Sequence, residues 1–213
     1  MQEIQPDPYS SLRHAMARLQ LEARGIRGPV LDVMARVPRH EFVPERYRSQ
    51  AYEDRPLPIG NEQTISQPYI VALTVAALEL GASQSILEVG TGSGYQTAVL
   101  CELAGHVYSI ERHKKLAESA QENLVRLGYN NATIVHGDGS LGLPEYAPYN
   151  AIVVSAAARS IPRPLLDQLQ EQGRMVIPVG PSDAQQLQLV RKIAGEVRIE
   201  TLEDCRFVPL IAD

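Results

Sequence analysis

From Ser85 onward the chain alternates short apolar runs with helix-length stretches, and this alternation restricts the fold more than any other feature. Ile86–Val89, Val107–Ile110, Thr133–Val135, Ala151–Val154 and Arg174–Pro178 have the length and β-branched content of strands. Helices are expected from the Gly90–Gly94 turn to about Ala104, over His113–Leu127 and over Pro164–Gln170. Strands separated by helices cannot pair as hairpins, so an α/β fold with a mostly parallel, doubly wound sheet is predicted. After Gly180 the helical pattern stops. Leu187–Lys192, Glu196–Leu202 and Arg206–Leu210 read as three further strands, with Gly195 at a tight turn, which predicts an antiparallel C-terminal addition.

The residues before Ser85 read differently. Leu12, Met16, Leu19 and Ala23 recur at helical spacing, with Gly25 as a stop, and Val30–Val37 forms a second helix closed by Pro38. Residues 51–65 carry Pro56, Pro58 and Gly60 and read as a loop. Ser66 then reads as a helix N-cap, with Pro68 in the first turn and Ile70, Leu73, Ala77 and Leu80 down one face. The expected organisation is one domain over 1–213. It comprises a helical and loop extension over 1–65, a ligand-binding core over 66–180 and a strand extension over 181–213.

Composition narrows the function classes. With 44% hydrophobic and 21% charged residues over 213 positions, the chain can bury a core without disulfides or metals. Its net charge of -5 and lack of Trp argue against duplex DNA and against a stacking platform for single strands. The longest apolar stretch, Tyr69–Leu80, is too short to span a bilayer, and Met1–Pro6 is too polar for a signal peptide. Cys101 and Cys205 have no C-x-x-C partner, and Cys101 reads as a small buried hydrophobe. A monomeric, cytoplasmic protein is expected.

In open parallel sheets, ligands bind beyond the carboxyl ends of the strands. Here three consecutive strands lead into acids. The first carries Glu88-x-Gly90-x-Gly92-x-Gly94, the second is followed by Glu111, and the third by Gly137-Asp138-Gly139. A dinucleotide site wants G-x-G-x-x-G, but Tyr95 stands at the third glycine, and no Walker lysine follows. A carboxylate at Glu88 would repel a pyrophosphate and suit an ammonium or sulfonium. S-adenosylmethionine is such a ligand. Its amino-acid end would sit by Gly90 and Gly92, its ribose diol would donate to Glu111, and its adenine amino group to Asp138 beside Gly139.

The run Ile86-Leu87-Glu88-Val89-Gly90-Thr91-Gly92-Ser93-Gly94-Tyr95-Gln96-Thr97-Ala98 resembles motif I of the protein-L-isoaspartate O-methyltransferase family. Pro58-Ile59-Gly60 with Gln63-Thr64-Ile65-Ser66-Gln67-Pro68 resembles a signature particular to that family. Val37-Pro38-Arg39, Phe42-Val43-Pro44, Gly137-Asp138-Gly139, Ile177–Gly180 and Phe207–Leu210 match in the same register, from about Leu31 to Leu210. Leu143 stands where a Trp is frequent, and Asn150 replaces a common Asp.

The resemblance implies a Rossmann-like class I methyltransferase. Such an enzyme moves a methyl group from S-adenosylmethionine to the free carboxylate of L-isoaspartyl residues in damaged proteins and peptides. The ester then closes to a succinimide, and hydrolysis returns some normal aspartate. Ser66 matches the active-site serine, and the backbone N–H groups at Ile65 and Val208 match substrate contacts. Arg39 and Arg206 are candidate cations for the acidic substrate group. No general base is needed, because a carboxylate is already ionised at neutral pH. His14, His40, His106, His113 and His136 are scattered without metal-ligand spacing, so no metal is expected. A methyltransferase with another peptide or small-molecule acceptor, and a non-catalytic cofactor-binding module, are the alternatives. A nicotinamide oxidoreductase ranks last.

Overall fold

The computed structural model describes residues 7–212, so the signal-peptide reading of Met1–Pro6 falls outside the described residues. A seven-stranded sheet forms the centre, in the order β5-β4-β3-β6-β7-β8-β9. The strands are β3 (Ser85–Val89), β4 (His106–Glu111), β5 (Ala132–His136), β6 (Tyr149–Val154), β7 (Leu169–Val179), β8 (Gln185–Ile193) and β9 (Glu196–Cys205). β5 to β7 are joined in parallel pairs, whereas β7–β8 and β8–β9 are antiparallel. Strand order runs outward both ways from β3 and β6, which places the switch point between those two strands.

β3 is buried on both faces from Ile86 to Val89, which is why it reads as a run and not an alternation. Asn150 caps the start of that strand, its Oδ1 accepting the Ser85 amide at 2.8 Å. Leu143 is buried, and its carbonyl accepts the Tyr149 hydroxyl at 2.6 Å. One apolar layer joins the N-terminal helices, α3 (Pro68–Leu78) and α4 (Tyr95–Cys101) to one face of the sheet. The other packs Leu143 and α6 (Arg163–Gln168) on the opposite face. α5 (Lys114–Arg126) contributes Leu116, Ala117, Ala120 and Leu124, an i, i+4, i+8 stripe, and leaves its charges outside.

Four local expectations are corrected. α1 (Ser10–Ala15) runs into a π-helical segment, Met16–Leu21, which rotates the buried face relative to a 3.6-residue repeat. Met16, Ala17 and Leu21 are buried as a result, while Leu12, Leu19 and Ala23 are exposed. Gly25 ends this region in the left-handed conformation, and α2 (Pro29–Met34) follows. Second, residues 51–65 are not all loop: β1 (Leu57–Gly60) and β2 (Gln63–Ile65) form an antiparallel hairpin with Leu57 opposite Ile65.

Third, Ser66 is not the N-cap of α3. Gln67 holds that place, and the Tyr69 amide is capped from a distance by Asp54 Oδ1 at 2.9 Å. α3 also has no single apolar face. It is enclosed by the N-terminal helices and the sheet, so Val71, Ala72, Thr74, Val75 and Leu78 are buried while Ile70, Leu73, Ala77 and Leu80 are only half-buried. Fourth, Arg206–Leu210 does not add a strand beside β9. The Gln185 side chain satisfies both backbone groups of Phe207, at 2.6 and 3.2 Å, and turns the chain away. The segment then crosses the strand ends: Ala157 donates to the Val208 carbonyl, and Leu210 donates to the Ala157 carbonyl, each at 2.8 Å.

Candidate active site

A cavity of about 750 Å³ opens at the carboxyl ends of β3, β4 and β6, the size range of small-molecule sites. Its floor is the turn Val89–Gln96, and Glu111 closes one side. Two segments from outside the βα core complete it: Gln63–Gln67, which is β2 and the two residues after it, and Asp204–Ile211, which runs from the end of β9. The switch point and the two additions therefore meet at one place.

The floor requires its glycines. Gly90 has φ +95° and Gly92 φ +57°, where side chains are strained. A Cβ at Gly90 would also stand 3.3 Å from Ser155, and one at Gly139 would stand 2.5 Å from Val89 Cγ1. Backbone at these positions can thus come close to a ligand.

Glu111 is 5% exposed, and its carboxylate accepts the Gly92 amide at 2.9 Å and the His113 amide at 2.9 Å. Each oxygen keeps a further lone pair for a donor in the cavity. Glu88 is placed differently from expectation. It points under the floor and not into the mouth, is fully buried, and does not line the cavity. The Thr97 hydroxyl (2.5 Å), the Ser109 hydroxyl (2.7 Å) and Gln96 Nε2 (3.1 Å) surround it. Burial pushes its pKa up to about 7, against the opposing pull of those three hydrogen bonds. Gln96 also donates to Ser155 Oγ at 3.0 Å and itself lines the cavity, so Glu88 is linked to the site through Gln96.

Asp138 likewise stands just outside the lining. Its Oδ1 caps the following turn by accepting the Ser140 amide at 2.8 Å, while the adjacent Gly139 does line the cavity. Ile65, Ser66, Gly90, Gly92 and Val208 all line it. Of the two candidate cations, Arg206 is in the wall and Arg39 is fully buried behind it. Sequence reasoning did not single out Gln96, Thr97, Ser109 or Ser155. No periodicity links a strand acid to an amide and two hydroxyls eight to twenty-one residues away, and only the fold closes that cage. Among the described residues, no cluster of His, Cys, Asp and Glu is arranged to hold a metal ion.

Comparison with known proteins agrees with this geometry. The family model described as protein-L-isoaspartate(D-aspartate) O-methyltransferase matches residues 13–213. The chain is 50% identical over 209 residues to a Methanoculleus marisnigri protein-L-isoaspartate O-methyltransferase, covering 98% of this chain and 95% of the relative. It is 52% identical to one from Koribacter versatilis, covering 94% of this chain and 91% of that one. A solved Plasmodium falciparum structure, described as a protein-L-isoaspartate O-methyltransferase in complex with S-adenosyl-L-homocysteine, superposes with a TM-score of 0.81 at 29% identity. It covers 93% of this chain and 98% of that one. The chain belongs to the protein-L-isoaspartate(D-aspartate) O-methyltransferase family.

Proposed function

We infer that this protein transfers a methyl group from S-adenosylmethionine to the free carboxylate of L-isoaspartyl residues in peptides and proteins. The observation that carries the reading is the meeting of two half-sites in one cavity. The glycine turn with Glu111 forms one half, and Gln63–Gln67 with Asp204–Ile211 forms the other. The first half suits the cofactor. Its floor excludes side chains at Gly90, Gly92 and Gly139, and Glu111 offers a buried carboxylate that a ribose diol could reach. When bound, the cofactor supplies an electrophilic methyl group on a sulfonium sulfur.

The chain's own residues do the rest. Glu111 would hold the ribose, Gly90 and Gly92 would allow close backbone approach, and Gly139 would border the adenine, with Asp138 shaping the turn behind it. Glu88 acts from below by fixing Gln96 and the start of α4. Ser66 orients the substrate carboxylate, helped by the Ile65 and Val208 backbone. Arg112 and Arg206 in the wall offset the chain's net negative charge for an acidic substrate. Because the attacking oxygen is already ionised, the rate gain rests on alignment. Positioning of this kind can be worth about 7–11 kcal/mol. The ester product then closes to a succinimide without further help from the enzyme.

The test is methyl transfer from labelled S-adenosylmethionine to matched isoaspartyl and aspartyl peptides. Base-labile label on the isoaspartyl peptide alone is the expected result. Equal labelling of both peptides, or binding without transfer, would replace this reading with another acceptor or a non-catalytic module.

A further inference from the structure

Ser66 sits between two regular elements but belongs to neither. β2 ends at Ile65 and α3 begins at Pro68, so nothing in a ladder or a helix fixes the Ser66 backbone. Its carbonyl is held by a side chain instead. Arg39 Nη2 donates to Ser66 O at 2.8 Å, and Arg39 Nε donates to Ala51 O at 2.7 Å. The guanidinium carbon lies 4.8 Å from the centre of the Tyr95 ring, and Tyr95 lines the cavity just after the glycine turn. One planar group thus joins the Ser66 segment to the first residue of α4.

The setting is costly. Arg39 is 0% exposed, and among the described residues no carboxylate lies within ion-pair distance of it. A buried cation hydrogen-bonded to carbonyls, with the Asp54 carboxylate attracting it from beyond ion-pair distance, loses hydration without regaining a full ion pair. Packing alone would be met better by an apolar side chain. What a guanidinium adds is two donors at a fixed angle, which a lysine ammonium cannot reproduce. Asp54 restrains the same segment from the other side, accepting Gln67 Nε2 at 2.8 Å as well as the Tyr69 amide.

We propose that Arg39 is a positioning residue for methyl transfer, which sets the location of the Ser66 hydroxyl relative to the cofactor half-site by bridging Ser66 O, Ala51 O and the Tyr95 ring. The inference rests on the reading of Ser66 as catalytic. Arg39 touches neither substrate nor cofactor.

A double-mutant cycle with Arg39→Lys and Ser66→Ala tests it, with kcat and KM on an isoaspartyl peptide, calorimetric affinity for S-adenosylhomocysteine, and melting temperature as readouts. Arg39→Lys alone is expected to lower kcat on the order of tenfold, because small misplacements at a reacting centre are expensive. Affinity for S-adenosylhomocysteine should stay within about twofold of wild type. In the Ser66→Ala background, Arg39→Lys should change kcat by less than about twofold, since the group it positions is gone. An equal loss in both backgrounds overturns the inference while leaving Ser66 catalytic. Parallel loss of kcat and S-adenosylhomocysteine affinity also overturns it, and marks Arg39 as a general support of the fold. An unchanged kcat in Ser66→Ala overturns the reading of Ser66, and the inference with it. If Arg39→Lys does not fold, Arg39→Gln removes the buried charge together with the fork and supplies the same cycle.

Discussion

Glu111 Oε2 accepts the backbone N–H of Gly92 at 2.9 Å, so the acid that ends β4 also holds the glycine turn that follows β3. Its second oxygen holds the His113 amide at the entry to α5. One carboxylate therefore shapes the floor of the cavity and faces the half proposed for the cofactor. Glu111→Ala should weaken S-adenosylhomocysteine binding by about 10–100-fold, the value of one charge-assisted hydrogen bond lost on each side. Glu111→Gln, which keeps one carbonyl acceptor, should fall between. Isothermal calorimetry checks this, and an affinity within about threefold of wild type for Glu111→Ala would remove Glu111 from the cofactor site.

Glu88 predicts a pH dependence of stability. Burial raises its folded-state pKa to about 7 from 4.5. The folded protein then binds more protons than the unfolded chain between those two values, so this residue's contribution to stability falls as pH rises through that window. Below about 4.5 the carboxyl is neutral in both states. Above about 7 the full cost of burying the charge is present, on the order of 3 kcal/mol. Glu88→Gln should therefore gain on wild type between pH 5 and pH 8 in urea denaturation series. A pH-independent difference between the two would show that Glu88 ionises at its ordinary value. Because Glu88 reaches the cavity through Gln96, the variant should lose less cofactor affinity than Glu111→Ala does.

Gly139 is needed for space, not for backbone freedom. Its Cβ would stand 2.5 Å from Val89 Cγ1, and both residues line the cavity. Gly139→Ala must push β3 or the turn after β5, an overpacking cost of about 1–3 kcal/mol. The melting temperature should fall and S-adenosylhomocysteine affinity should fall with it. Gly128→Ala provides the comparison. Gly128 has φ +86° and nothing within 4 Å, so strain alone should lower stability there and leave affinity untouched. Equal affinity in the two variants would show that Gly139 does not border the ligand.

Most of the sheet from Ser85 to Pro178 is legible because β3 and β6 are buried runs and glycine turns separate the elements, although β7 begins at Leu169, inside the stretch expected to be helical, and β5 is only half-buried. Local signals there agree with the global fold. The failures lie where tertiary contacts replace local ones. The π-helical segment moved Leu12 and Leu19 outward, since a repeat read at 3.6 residues cannot anticipate a wider turn. Ser66 looked like an N-cap because of Pro68, yet Asp54, twelve positions earlier in sequence, does the capping. The place of Glu88 near a strand end suggests a mouth carboxylate. The register of β3 turns it inward toward Ser109 and Thr97, and a strand's facing cannot be fixed when both faces are buried. The convergence of Gln63–Gln67 and Asp204–Ile211 on one cavity follows from long-range packing alone.

Arg206 offers the sharpest probe of the substrate half-site. It is exposed in the cavity wall, and among the described residues it makes no ion pair and no side-chain hydrogen bond. An arginine placed so can meet a carboxylate with two parallel donors. Nearby Glu203 and Asp204 make the local field acidic without it, so reversing its charge should repel an isoaspartyl peptide. Arg206→Glu should raise KM on the order of tenfold, with little change in kcat or in S-adenosylhomocysteine affinity. The KM difference from wild type should shrink as ionic strength rises, because an exposed contact is screened within about 8–10 Å at physiological salt. An unchanged KM at low salt would exclude Arg206 from substrate binding, and a salt-independent rise would point to distortion of the wall instead of lost charge.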